Sequence, residues 1–275
     1  MDRLLVGCES FVLNYADDLT PHSKTLQDHI HHCIAIIDLL TSANLRINQK
    51  KCIWAQTEIK VLGFIKTKDE IRVDHQRMAS IWDWKIPLTG KTVMRYMGLF
   101  NYFRDRIPNY AFLAAPLEKL RYLKNIQMTD WTGAAQASFD SLRLSLSLAP
   151  VLSVPDFSRK FYVATDSSNY GTGCVLYQSD KPDQPNHLST KYIEFASRSF
   201  SVSEKNYSAT KKELLGIVFA LRKFHPMIWG RHFTLYTDHN ALTFLFTQKD
   251  LNVLITGINF SRSNSLFPAL FFFFF

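Results

Sequence analysis

The stretch Phe161-Tyr162-Val163-Ala164-Thr165-Asp166-Ser167-Ser168-Asn169-Tyr170-Gly171-Thr172-Gly173-Cys174-Val175-Leu176-Tyr177 decides the fold. It reads as an aromatic and β-branched strand ending on an acid, a polar turn, and a second strand that opens on glycine. Further on, Ser203 reads as the cap of a helix carrying Tyr207, Leu214, Ile217, Val218 and Leu221. His232-Phe233-Thr234-Leu235-Tyr236-Thr237-Asp238 reads as a third strand, again ending in an acid. Strand hairpin, helix and strand in that order make an α/β (α+β) mixture.

Working outward, Pro150 and Pro155 mark a boundary, and residues 129–149 suggest a helix before it. From 75 to 125 the pattern is mostly helical, punctuated by Pro87, Gly90, Pro108 and Pro116. Val61 to Val73 looks like a hairpin: Gly63 breaks the first arm, Lys68-Asp69-Glu70 turns the chain, and Ile71 and Val73 alternate on the return. A helix is expected at 24–42, with Leu26, Ile30, Cys33, Ile37 and Leu40 at helical spacing and Thr25 and Asp28 as a capping pair. Before it, Phe11-Val12-Leu13-Asn14-Tyr15 is a short strand running into a turn that holds Asp17 and Asp18.

The chain has 275 residues, room for one large or two ordinary domains. Its formal charge of +8 favours a polyanionic partner, and the surplus is spread over both halves, so no basic tail explains it. No apolar run reaches the roughly 18 residues of a membrane helix, and the start lacks the pattern of a secretory signal. The expected setting is therefore intracellular and not secreted, without a membrane partner. Cys8, Cys33, Cys52 and Cys174 have no CxxC spacing and read as unpaired thiols. His29, His31, His32 and Cys33 read as solvated helix residues, because a structural zinc site needs four ligands and no second cluster exists. No folding logic accounts for the run Phe271 to Phe275.

Three groups of residues carry chemistry. In Tyr15-Ala16-Asp17-Asp18 two carboxylates on a turn can bind divalent cations and present them to phosphates, although, taken alone, such a pair is more often a plain acidic surface turn. Asp166 and Asp238 end strands, while Glu213 lies one turn before Ile217, at the edge of the stripe facing the sheet. These three could meet in one pocket and hold two metals about 3.5–4 Å apart; two strand-end acids and a solvated helix acid fit the same spacing. Lastly, Trp82, Trp84, Tyr96, Phe100, Tyr102 and Phe103 interleave with Lys85, Lys91, Arg95, Arg104 and Arg106. Such a mixture can grip a duplex backbone, or be core aromatics under an exposed basic face.

Tyr15-Ala16-Asp17-Asp18 resembles the YxDD box in the palm of reverse transcriptases. Lys50-Lys51-Cys52, Val61-Leu62-Gly63-Phe64-Ile65, Met97-Gly98-Leu99-Phe100-Asn101-Tyr102-Phe103-Arg104 and Pro116-Leu117-Glu118-Lys119-Leu120 follow in the order of the palm-to-thumb run of gypsy-type LTR retrotransposon polyproteins. Ala164 to Gly173, Ser197-Arg198, Glu204-Lys205-Asn206-Tyr207, Lys212 to Val218 and Tyr236 to Leu242 resemble the ribonuclease H domain that follows in the same polyproteins. The resemblance covers about residues 10–250 and implies a partial palm with a primer-grip hairpin (1–75), a thumb (76–125), a connecting segment (126–158), a ribonuclease H-like domain (159–250) and an aberrant tail (251–275). It implies that Asp166, Glu213 and Asp238 hold two Mg²⁺ or Mn²⁺ ions and cut the RNA strand of an RNA–DNA hybrid, leaving a 3′ hydroxyl and a 5′ phosphate. It also makes Asp17 and Asp18 polymerase metal ligands, Tyr15 a support for the primer end, and Gly63, with Arg95 and Arg104 of the thumb, contacts to nucleic acid.

Two departures shape the expectation. A family member carries another palm carboxylate and nucleotide-holding fingers before position 10, so the chain reads as a truncated product without polymerase activity, its missing palm, fingers and integrase lying elsewhere in a full-length element. The family's nuclease also has a fourth acid after position 250, where this chain departs from the pattern. A catalytically dead remnant that only binds duplex or hybrid is the alternative; a stand-alone cellular ribonuclease H would not need the YADD-to-thumb stretch.

Overall fold

The computed structural model describes residues 4–16, 18–181, 189–237 and 258–262. It divides into two units, residues 1–59 and 60–275.

In the first unit, β1 (Val12–Tyr15) and β2 (Asp18–Pro21) form an antiparallel hairpin with Val12 opposite Pro21 and Tyr15 opposite Asp18. Ala16 is left-handed at the turn (φ 53°). Helix α1 (Leu26–Ser42) starts where Thr25 Oγ1 accepts the Asp28 amide, as the capping pair predicts. Leu5, Cys8, Val12, Ile36 and Leu40 make the core. The expected apolar stripe is only partly used: Leu40 is buried, whereas Leu26 and Ile30 stay exposed, because the described residues of this unit cover a narrow side of the helix.

The second unit opens on a four-stranded sheet in the order β3 (Ile59–Val61), β4 (Phe64–Lys66), β5 (Glu70–Val73) and β6 (Leu152–Ser153). Helices α2 (His75–Trp82), α3 (Gly90–Tyr102), α4 (Tyr110–Glu118) and α5 (Gly133–Ser147) pack around Tyr96, Phe100, Phe103, Leu117, Phe139 and Leu142, all nearly solvent-free. The aromatics of the basic segment are therefore mostly core, with Arg95 exposed on the outside of α3. Tyr96 spends its hydroxyl on the Phe139 carbonyl at 2.7 Å, which satisfies the polar end of a buried ring.

The larger sheet runs β11-β10-β7-β8-β9. β7 (Phe161–Ser167), β8 (Gly171–Ser179) and β9 (Thr190–Ser199) form an antiparallel meander. The short α6 (Val202–Lys205) and the long α7 (Ala209–Ile228) then return the chain so that β10 (Phe233–Thr237) lies parallel to β7, with Phe233 opposite Phe161. Phe161, Val163, Leu176, Leu235, Ile217, Ala220 and Phe224 fill the layer between sheet and helix. On the opposite face Leu152 packs with Ala164, Val175 and Phe195, so the stretch between the two prolines, paired through β6 to β5 of the four-stranded sheet, packs against the larger sheet rather than crossing open solvent. β11 (Ile258–Arg262) pairs in parallel with β10, inside the tail whose sequence announces no strand.

Candidate functional site

β7 is buried from Phe161 to Thr165 and surfaces at Asp166 and Ser167, so the acid sits where the strand leaves the core. Asp166 pairs with Gly173 of β8, and its carbonyl accepts the Thr172 hydroxyl at 3.1 Å. The turn after it is tightly bonded: Ser168 Oγ accepts the amides of Tyr170 at 3.1 Å and Gly171 at 3.2 Å. Two hydrogen bonds and one close approach hold the first turns of α7 over this strand end. Ser167 Oγ lies 3.2 Å from the Lys212 carbonyl and 3.1 Å from Thr172 Oγ1. Lys212 Nζ donates to Asn169 Oδ1 of the turn at 3.1 Å. Gly216 lets the helix come close, since a Cβ there would sit 2.5 Å from Thr172 Oγ1 and 2.7 Å from Ser167 Oγ.

This geometry brings the residue after Asp166 against the residue before Glu213. Glu213 is 7% exposed, a buried carboxylate on the helix, and Asp166 is half-buried on the strand. β10 pairs with β7 as far as Tyr236 opposite Ala164 and ends at Thr237; Asp238 follows and lies outside the described residues, as does Asp17. Among the described residues no group of three His, Cys, Asp or Glu side chains is placed to hold a metal ion. Both described carboxylates offer oxygen ligands alone, a donor set that suits hard divalent cations such as Mg²⁺.

The other expected site residues are spread out. In the first unit, Tyr15 is 60% exposed at the end of β1 and Asp18 is exposed at its register partner on β2. In the second, Gly63 occupies a two-residue turn between β3 and β4 with Leu62, both left-handed at φ 82° and 54°. Arg104 donates through Nη2 to the Ser197 carbonyl at 2.9 Å and lies 5.5 Å from the Tyr110 ring centroid, which anchors it to β9. The Ala111 amide adds a bond to Ser197 Oγ at 2.9 Å. Sequence reading missed the supporting residues Ser167, Lys212 and Gly216. A glycine inside a long apolar helix was the available signal, since such a position weakens a helix unless close packing demands it.

A second fixed point lies on the approach to α7. Arg198 grips Glu204 with both guanidinium nitrogens, at 2.9 and 3.0 Å, while Glu204 closes a capping box with Ser201. The arginine's hydrogen bonds and the Ser201 amide push the Glu204 carboxyl down to about 2.

No helix among the described residues is long and apolar enough to cross a membrane. Residues 1–66 match the family described as reverse transcriptase (RNA-dependent DNA polymerase), and residues 156–258 match the RNase H-like domain found in reverse transcriptase. The chain is 34% identical over 241 residues to the retrovirus-related Pol polyprotein from transposon 297 of Drosophila melanogaster, covering 86% of this chain and 21% of the relative. It is 29% identical over 252 residues to the retrovirus-related Pol polyprotein from transposon gypsy of the same organism, covering 88% of this chain and 23% of that one. The chain thus spans about a fifth of the length of the curated relatives it matches. Its fold is shared with a foamy viral protease-reverse transcriptase solved in complex with RNA/DNA hybrid, at TM-score 0.74 and 21% identity, over 98% of this chain and 37% of that one. Two family segments in chain order, and Pol relatives across most of the length, establish that the chain belongs to the reverse transcriptase–ribonuclease H part of the LTR retrotransposon Pol family.

Proposed function

We propose that the chain binds RNA–DNA hybrid duplexes and hydrolyses their RNA strand at a carboxylate site made of Asp166, Glu213 and Asp238. The observation that supports this most is the bond from Ser167 to the Lys212 carbonyl, which ties the strand carrying one acid to the helix carrying another. Divalent cations held by these carboxylates supply charge neutralisation at the scissile phosphate and activation of water. The chain's own part is to hold the carboxylates still. The strand end is fixed by its turn and the helix by Gly216, so little reorganisation is needed when a phosphate arrives. In this reading the connecting segment aligns the thumb with the nuclease half, and Arg95, Arg104 and the Gly63 turn contact the duplex backbone. Asp17 and Asp18, with Tyr15 beside them, serve polymerisation in the full-length polyprotein.

The test is a labelled RNA–DNA hybrid incubated with the full chain in Mg²⁺ or in EDTA, alongside binding measured against salt. Mg²⁺-dependent RNA fragments ending in 3′ hydroxyls support the reading. Salt-sensitive binding without products leaves a nucleic-acid-binding remnant and removes the nuclease.

A further inference from the structure

The turn between β3 and β4 combines strain with support. Leu62 is a non-glycine residue at φ 54°, in the region where only Gly, Asn and Asp are comfortable, and it is 41% exposed. A two-residue turn with both residues left-handed ordinarily takes Asn-Gly. Strain of this kind persists only where the surroundings impose it. Here the surroundings are residues at the end of α3 and just beyond it. Tyr102 donates its hydroxyl to the Leu62 carbonyl at 2.7 Å. Phe64, the residue after the turn, sits among the rings of Tyr102 (5.5 Å) and Phe103 (5.3 Å) and the Arg106 guanidinium (4.4 Å). Arg106 in turn donates to the Ile71 carbonyl of β5 at 2.7 Å, so both arms of the hairpin following the turn are held from the helical side.

We infer that Tyr102 is a positioning residue for nucleic-acid binding: its hydroxyl holds the exposed Leu62–Gly63 turn in the left-handed shape that a duplex backbone meets. The inference rests on the proposed hybrid-binding reading. At the tip Leu62 is exposed and Gly63 half-buried with its carbonyl accepting the Asp74 amide at 3.0 Å, and Tyr102, itself 45% exposed, meets the turn through the Leu62 carbonyl. Without the hydroxyl the strained pair relaxes, the binding-competent turn is less populated, and apparent affinity falls in proportion.

The test compares three full-length variants with wild type by fluorescence anisotropy on a labelled RNA–DNA hybrid and by thermal unfolding. Tyr102→Phe is expected to weaken binding by about three- to tenfold, the range one lost hydrogen bond spans, with little change in melting temperature. Adding Leu62→Asn to it supplies a residue at home in the left-handed region and is expected to restore binding, which a merely structural role for the hydroxyl would not predict. Tyr96→Phe removes a hydroxyl bonded at the same distance in the helical core, and is expected to lower the melting temperature and leave affinity unchanged. Wild-type affinity in Tyr102→Phe, failure of Leu62→Asn to rescue, or an equal loss in Tyr96→Phe overturns the inference while the hybrid-binding reading stands. A wild-type chain that does not bind hybrid overturns both.

Discussion

Single residues at this strand end are constrained by distance more than by type. Gly216 and Gly98 are both glycines inside helices, yet a Cβ at Gly98 meets nothing within 4 Å and one at Gly216 meets two hydroxyls. Gly98→Ala should therefore stabilise by up to about 1 kcal/mol through helix propensity, whereas Gly216→Ala should destabilise by about 1–3 kcal/mol through overpacking. Urea unfolding of the two variants checks the opposite signs, and hybrid cleavage should fall only in Gly216→Ala. Glu204 gives a pH signature. Its carboxyl is held below the usual range in the folded chain, so it contributes stability above that range, and the contribution is lost as pH falls toward about 2. Glu204→Gln should flatten the acid limb of a stability-against-pH curve by lowering stability slightly at neutral pH while leaving the acid end nearly unchanged, the loss kept small because the pair is solvent-screened. Asp166 lies near the end of β7 and Glu213 on α7, where their residues predict; Asp238 lies outside the described residues. Their supports were not legible in the sequence, because contacts between a serine on one strand and a carbonyl of a distant helix leave no local pattern.

Elements were legible where periodicity and caps agreed. The strands at 161–167, 171–179 and 233–237 and the helix at 26–42 lie where their residues predict. The helix of the RNase H-like half does not start as expected: Ser203 lies inside α6, and Ser208 Oγ accepts the Lys211 amide to begin α7, because the chain breaks at Asn206–Tyr207 between two short-range caps. Ser208→Ala should cost about 1 kcal/mol, typical of a lost cap, and Ser203→Ala should stay within about 0.5 kcal/mol; thermal unfolding of the two variants tells the caps apart. β9 escaped notice except for Ser197-Arg198, since its pairing with β8 shifts register at Leu176/Tyr177 and disturbs the alternation a reader looks for. β11 was hidden for a different reason: its pairing partner is a strand some twenty residues earlier, and Ile258–Arg262 carries no repeat of its own.

At the scale of the whole molecule, the order of segments carried more than any one of them. A basic chain of +8 admits many polyanion binders; an acidic hairpin followed by aromatic helices and then a strand-helix-strand unit with acids at its ends admits few. The proposed nuclease requires that Asp166 act at the phosphate rather than brace the fold, and its position at a solvent-reaching strand end allows it to be neutralised without opening the core. The direct measurement is Mg²⁺-dependent cleavage of a labelled RNA–DNA hybrid by wild type and Asp166→Asn, with hybrid affinity and melting temperature recorded for both. The account predicts unchanged folding, retained binding and a loss of cleavage exceeding about 100-fold, more than an outer partner of a metal ligand is worth. Cleavage by Asp166→Asn at the wild-type rate would contradict it.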